Sequence, residues 1–562
     1  MGTRRSWSFV LVDSLEKVFP DRRPRPLDAP LTSVFLGEVA SFQLAFLPPH
    51  ADQLVDVETF TIEVDGPAAA GVVVRSVDLV PVSLAAYDGH DEHYLSTRPG
   101  LFPDLLAPLP DRVVQPTIGS WRALWFDVCV DDPRLAGASS VVLRARGSRS
   151  GLLYEGQVEI VVHPHRLPAL DIVNTHWLHV DSLAQYYDLP VFSEELWRVL
   201  DAFVAKASEM DATSVLTPTW TPPLDTAVGA SRLPVQLIDI AETPHGYDFE
   251  FDKLGRWLEM CRRHGIMTIE IAHFFTQWGA TATPAIYVET ARGVEQRFGW
   301  HVPATSPDYR RLLEQLVPPL RAFLAEHWAD GEVVYHVSDE PAVEMLAGYG
   351  AAREVVADLL EGCLVVDALS NHAFVTTGAV AVPVVATDAV VPFLENDVRP
   401  LWVYYCCAQQ RGVANRFIAM PSVRNRALGH QLFAFRVAGF LHWGFNFYNA
   451  HHSTHPVDPF RDTCANDGFP GGDPFLVYPG PDGTPWESIR FRVFCQAMAD
   501  HRALQLLRDL TDFETARALV DPDGSLAFDH FSYDPAHYAA SREAVNARVV
   551  SALESRATTS SA

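Results

Sequence analysis

GEVVYHVSDEP, Gly331 to Pro341, runs from β-branched and aromatic residues straight into two adjacent carboxylates, Asp339 and Glu340, closed by a proline. The apolar run reads as a buried strand. A buried carboxylate is costly unless it is paired or used, and proline cannot continue a β-ladder, so the pair belongs at a strand mouth.

Working outward, the same signature recurs. Apolar strands are read at NTHWLHVD, TSVLTPTW, IMTIEIAHFF, VVYHVSDE, LVVDALS, VAVPVVAT, LWVYYCC and GFLHWGFNF. Amphipathic helices such as SEELWRVLDAFVAKASEM, FDKLGRWLEMCRRHG, DYRRLLEQLVPPLRAFLAEHW and VEMLAGYGAAREVVADLLEG separate most of them. Eight strand–helix units predict a (β/α)8 TIM barrel over residues 169–510, its last helix at ESIRFRVFCQAMADHRALQLLRDL. No Gly-rich fingerprint follows an early strand, which argues against a dinucleotide fold.

Residues 1–168 alternate short apolar runs with Pro, Gly and Asp and predict an N-terminal β-sandwich, linked to the barrel around Pro164 to Leu170. STRPGLFPDLL, with Leu101, Phe102 and Asp104, reads as a shaped loop near the barrel mouth. Residues 511–562 read as a short helical appendix with a frayed end at ESRATTSSA. The fold class is thus multidomain, β followed by α/β.

Composition narrows the function classes. Hydrophobic residues form 48% and charged ones 20% of the chain, as in globular proteins. With 43 Lys and Arg against 70 Asp and Glu, a net charge of -27 excludes nucleic acid as a partner, because phosphate backbones require clustered cations. The N-terminal MGTRRSWSFVLVDSLEKVF resembles an export signal only in Arg4 and Arg5, since Asp13, Glu16 and Lys17 interrupt its apolar stretch. With no stretch long enough to span a bilayer, the expectation is a cytoplasmic protein without membrane insertion. Seven scattered cysteines lack C-x-x-C spacing and read as reduced thiols, with Cys406 and Cys407 on opposite faces of a strand.

Barrel enzymes build their sites at strand C-terminal ends. Those positions carry His179 and Asp181; Thr219 and Trp220; His273, Gln277 and Trp278; Asp339 and Glu340; Asp367 and Ser370; Tyr404 and Tyr405; and Trp443, Asn446 and Tyr448. Aromatic rings stack on the C–H faces of a sugar while carboxylates and amides bind its hydroxyls, so the expected ligand is a carbohydrate. Asp339 alone can be read as a helix cap, but that leaves Glu340 without a role. His451, His452 and His455 in NAHHSTHP, near Asp458 and Asp462, have the residue types of a metal site. Their Asn, Ser, Thr and Pro neighbours indicate a loop with no assignable supporting partner, and the expectation is no metal and no cofactor. YDGHDEHY, with His90 and His93, reads as a solvated acidic loop.

YHVSDEP, FTQWGA, LWVYYCC, NRF, GFLHWGFNFYN, DPF, the Gly472-Asp473-Pro474-Phe475 segment with LVYPG, and ESIR together resemble the catalytic domain of glycoside hydrolase family 123, over roughly residues 170 to 510. The β-rich first third resembles that family's leading sandwich. The resemblance implies a retaining β-N-acetylgalactosaminidase without cofactor, in which Asp339 holds the substrate's 2-acetamido group and Glu340 is the general acid/base. It assigns sugar contacts to His179, Asp181, Trp278, His336, Tyr404, Tyr405, Asn415, Trp443, Asn446, Tyr448, Asp473 and Tyr478. The histidine loop at 451–455 has no counterpart in it. Two other readings stay open: a conventional glycosidase whose nucleophile is Asp181 or Asp367, and a glycan-binding protein without catalysis. The leaving group, the choice of GalNAc over GlcNAc and the oligomeric state are not legible in the sequence.

Overall fold

The computed structural model describes residues 6–27, 31–50 and 57–560. Arg4 and Arg5 lie outside the described residues. Two compact units emerge, one formed by the described residues of Met1–Asp171, Ala414–Phe435 and Trp486–Ala562, the other by Ile172–Val413 and Arg436–Pro485.

The first unit is built on a β-sandwich, as its short punctuated strands require. One sheet orders Ser8–Asp13, Val39–Leu47, Arg122–Cys129, Val72–Val82, Gly100–Pro108 and Pro485–Ser488 side by side. The other orders Val34–Phe35, Gly151–His163, Gly137–Gly147, Phe60–Asp65 and Val113–Val114. Alternate residues of both sheets meet in one core, with Phe42 and Phe126 cross-paired and stacked at 5.1 Å above Val141, Leu143 and Ile160. The loop expected from the Pro and Gly residues around Phe102 is instead a strand, Gly100–Pro108, paired antiparallel with Val72–Val82, and its Asp104 is fully buried against Arg490 through two 2.9 Å hydrogen bonds. The C-terminal segment forms a continuous helix, Pro535–Ser560, where fraying was expected from Glu554 onward.

The second unit contains a closed barrel of eight parallel strands: Val173–His176, Ser214–Thr217, Thr268–Ile271, Glu332–Tyr335, Leu364–Leu369, Val382–Ala386, Trp402–Tyr404 and Gly439–His442. Each coincides with a segment read as a strand from its apolar run, the first and fourth beginning one residue before NTHWLHVD and VVYHVSDE. The helices between follow from their periodicity: Glu194–Glu209 is capped by Ser193, whose hydroxyl accepts from Leu196 N–H, and it buries Leu196, Leu200, Phe203 and Ala207 on one stripe. One element escaped the sequence reading. Asp239–Thr243, Gly246–Glu250, Ile286–Thr290 and Gly293–Phe298 form a separate four-stranded sheet in the connections flanking the third barrel strand.

Among the described residues, no helix is long and apolar enough to cross a membrane.

Candidate active site

The regular fourth strand stops at Tyr335, but its backbone stays paired on both sides to Glu340. Phe274 and Phe275 N–H donate to the carbonyls of His336 and Val337 at 3.1 and 3.0 Å, Trp278 N–H to that of Asp339 at 2.9 Å, and Glu340 N–H to Ala368 at 3.1 Å. The Asp367 carboxylate accepts from Val337 and Ser338 N–H at 2.9 and 3.2 Å and from the Tyr349 hydroxyl. The Ser338 hydroxyl donates to the Thr276 carbonyl at 2.8 Å. Glu340 is thereby held at φ +44°, a left-handed conformation unusual for a residue with a side chain. In a regular strand adjacent side chains alternate in direction, and this turn breaks the alternation at the catalytic candidates. Asp225, Trp278 and His452, at the ends of other barrel strands, also have positive φ, at 39°, 58° and 62°.

Both carboxylates are half-buried. Burial, then the adjacent charge of Glu340 and that of Asp367, pushes Asp339 well above the usual carboxylate range. Glu340 is also raised, by burial first and then by Asp388, although two donors counteract this. The Tyr404 hydroxyl donates to Glu340 Oε1 at 2.6 Å, and the Cys406 thiol lies 3.9 Å from the same oxygen. That thiol is kept protonated by its hydrogen bond with Cys407 and by burial. Among the described residues no donor reaches the Asp339 carboxylate, whose residue bonds only through its carbonyl. Two like charges so placed resist double ionisation, and their titration belongs to the pair.

Beneath the pair lies a buried polar layer. Glu270 accepts from Trp177 Nε1 at 2.9 Å and from the Ser214 hydroxyl at 2.8 Å, and lies 2.9 Å from His336 Nε2. Burial works to raise Glu270, but the His336 bond and charge with the other donors bring it below its ordinary value. His273 stacks on His336 at 4.5 Å; burial, then the charge of His336, drives it far below the ordinary histidine value.

At the first strand end, Arg232 clasps both oxygens of Asp181 at 2.8 and 2.7 Å and donates to His179 Nδ1 at 3.0 Å. His179 Nε2 then donates to the Trp443 carbonyl at 2.8 Å, which assigns the neutral tautomer. Burial and the Arg232 charge lower its pKa to about 3. Asn446 exchanges two hydrogen bonds with the His179 backbone, at 2.9 and 3.0 Å. Trp443 is half-buried, with its indole N–H on Asp473 at 3.1 Å.

Of the residues read as sugar contacts, only some offer surface to a ligand. Trp278 and Trp443 are half-buried, and Tyr404 is nearly buried and engaged with Glu340. His336, Tyr405, Asn446, Tyr448, Asp473 and Tyr478 are at most 1% exposed, so they brace the site from behind. Tyr448 bonds the Val477 carbonyl at 2.8 Å, and Tyr405 packs edge-on at 5.3 Å against His442. His179 and Asp181 are locked by Arg232. Asn415 belongs to the other compact unit, its amide oxygen accepting from Arg416 N–H at 2.7 Å. Arg232, Asp388 and Asp225 were not found by reading the sequence, because each is a single polar residue outside the regular strands and helices of the barrel, and Cys406 was read only as a reduced thiol. Cys406 and Cys407 lie beyond the end of the seventh strand rather than on its two faces.

The family model described as Glycoside hydrolase 123, catalytic domain, matches residues 177–507. No curated protein matches the chain. Among solved structures, one described as a family 123 glycoside hydrolase from Clostridium perfringens superposes with a TM-score of 0.72 at 12% identity, covering 99% of this chain and 100% of that one. That likeness is one of fold. A β-glucuronidase from Parabacteroides merdae overlaps 87% of this chain and 52% of its own at 9% identity, with a TM-score of 0.29.

Proposed function

The chain belongs to glycoside hydrolase family 123, and from that premise we propose that it removes a terminal β-linked N-acetylgalactosamine from an oligosaccharide or glycolipid by a retaining, substrate-assisted mechanism. The substrate's acetamido oxygen attacks the anomeric carbon as the glycosidic C–O bond breaks. Glu340 donates its proton to the departing oxygen, and Asp339 balances the charge of the oxazolinium so formed. Glu340, now a base, takes a proton from water as that water opens the ring, returning the sugar with its configuration retained.

The observation that carries this reading is the adjacent Asp339-Glu340 pair at one strand end, with the two carboxylates a conventional enzyme would draw on, Asp181 and Asp367, already engaged. A conventional retaining enzyme sets a nucleophile and an acid about 5 Å apart across the scissile bond. Asp181 is spent on Arg232 and Asp367 on the strand-end backbone and Tyr349, which counts against both as free nucleophiles. A purely glycan-binding protein gains little from two adjacent carboxylates with raised pKa. The Clostridium perfringens glycoside hydrolase is described as acting in glycolipid glycan hydrolysis, and a glycolipid substrate for this chain agrees with that.

A panel of nitrophenyl glycosides tests the proposal. Turnover should be confined to 2-acetamido sugars, N-acetylgalactosaminide foremost, and a thiazoline mimic of the cyclised intermediate should inhibit. Comparable cleavage of the plain galactoside, or a stable adduct on Asp181 or Asp367 after treatment with a 2-fluoro glycoside, would overturn it.

A further inference from the structure

The glycosidase chemistry leaves one side-chain cluster at the barrel mouth unused. Asp225 follows the second strand, while His451 and His452 follow the eighth, and one ligand atom from each lies within 4.8 Å of the others. The contacts are loose, with no side-chain hydrogen bond closing the cluster. Asp225 Oδ1 stands 3.8 Å from His451 Nε2, beyond hydrogen-bond distance, while Asp225 Oδ2 is occupied by the His452 peptide N–H at 2.8 Å. The two imidazole rings are tilted by 38° with centroids 3.8 Å apart. Asp225 is 11% exposed and His451 42%, so the cluster has a buried floor and an open side.

We infer that Asp225, His451 and His452 form a binding site for a divalent transition-metal ion, with zinc the best match. Bonds of about 2.0–2.1 Å in tetrahedral geometry put neighbouring ligand atoms roughly 3.4 Å apart, so side-chain rotation suffices to close this cluster on the ion. Two imidazoles and one carboxylate favour such an ion over magnesium or calcium, which take oxygen donors. The supporting contacts that the sequence did not reveal are present. Asp225 N–H donates to Gln277 Oε1 at 2.6 Å, its carbonyl accepts from the Ser453 hydroxyl at 2.7 Å, and Phe469 meets the His451 ring edge-on at 4.9 Å. His455, Asp458 and Asp462, the partners suggested by proximity in sequence, are engaged elsewhere: His455 beside the Thr454 hydroxyl, Asp458 on Phe460 N–H and Asp462 on Cys464 N–H.

The ion has a structural consequence for the neighbouring pocket. His452 packs against Trp278 at 5.6 Å, and Trp278 N–H donates to the Asp339 carbonyl. A metal would tie the loops after the second and eighth strands together and fix the Trp278 platform. Three protein ligands leave a fourth position for water or a sugar hydroxyl. The site stands on its own geometry, whatever the substrate.

The full chain, stripped of metal with a chelator, should be titrated with zinc by calorimetry, and separately with cobalt(II) while its visible spectrum is recorded. One equivalent of zinc should bind and raise the melting temperature, cobalt should develop tetrahedral d–d bands, and magnesium should compete with neither. Asp225→Asn and His451→Gln should each weaken zinc at least about ten-fold, while His455→Ala should leave binding unchanged. Absence of cobalt bands in the unsubstituted chain would overturn the assignment without any variant having to fold. So would zinc binding that is unaltered by both substitutions.

Discussion

The Tyr404 hydroxyl, at the end of the seventh barrel strand, donates to Glu340 Oε1 at 2.6 Å from the fourth. The glutamate side chain therefore leans across the barrel mouth to a strand that is not its neighbour in the closed order. A donor at this oxygen favours the carboxylate over the acid. In Tyr404→Phe that stabilisation is lost, and the Glu340 pKa, already raised by burial, should rise further. The alkaline limb of kcat/KM against pH should move to higher pH, with a rate loss of roughly ten-fold or less, since a net hydrogen bond is worth about 1 kcal/mol. An unmoved limb would detach Tyr404 from the acid.

Arg232 makes the tightest structural commitment at the site, because it satisfies buried Asp181 through two hydrogen bonds and His179 through a third. Arg232→Met should cost about 3–5 kcal/mol in urea unfolding, since it strands a buried carboxylate. Arg232→Lys should rescue little, because an ammonium cannot reproduce the planar fork. Removing both charges in Arg232→Met with Asp181→Leu should recover much of the stability. Equal losses in the single and double variants would contradict the pairing.

The barrel was legible because strands buried on both faces read as continuous apolar runs with punctuated ends. The small sheet spanning Asp239 to Phe298 was not: its strands mix exposed with buried residues, and DIAET and GVEQRF carry too many charges to resemble core. In the same way Asp339 and Glu340 stood out because two acids ended an apolar strand, whereas Arg232 sits in GASRLPV with nothing to distinguish it. His451 and His452 were visible in the sequence, but their third partner, Asp225, comes from a loop some two hundred residues earlier. Local spacing carries no record of such a contact. Burial was misjudged in one direction, since strand-end aromatics and amides such as Tyr405, Tyr478 and Asn446 were read as contact residues and are instead enclosed.

Acid should destabilise the fold through its buried neutral histidines. His179 is lowered to about 3 and His430 to about 4, burial being the first cause in each. Their folded pKa values lie below the unfolded value of about 6.5, so the unfolded chain takes up the protons first. The stability is fully present above about pH 6.5 and is lost as pH falls toward each folded value. Between pH 7 and 5, His430 alone accounts for a loss of about 2 kcal/mol. His430→Gln should remove that part of the pH slope in urea unfolding, and an unchanged slope would refute it.

The two carboxylates should be separable by leaving group. Glu340 has the donors and Asp339 has none, so a proton taken up by the pair favours Asp339, whereas the proposed mechanism needs it on Glu340. On the proposed mechanism the substrate's amide N–H would supply the donor that Asp339 lacks, favouring the aspartate anion and leaving the proton on Glu340 once the sugar is bound. Glu340→Gln should then lose two or more powers of ten, about 2.7 kcal/mol, on a poor leaving group such as an alkyl glycoside, and far less on a dinitrophenyl glycoside that departs unaided. Asp339→Asn should lose a similar factor on both, because it stabilises the cyclising sugar and not the aglycone. Steady-state kinetics of the two variants across a graded series of aglycones decides between these roles. A loss in Asp339→Asn that tracks leaving-group pKa, with one in Glu340→Gln that does not, would exchange the two assignments.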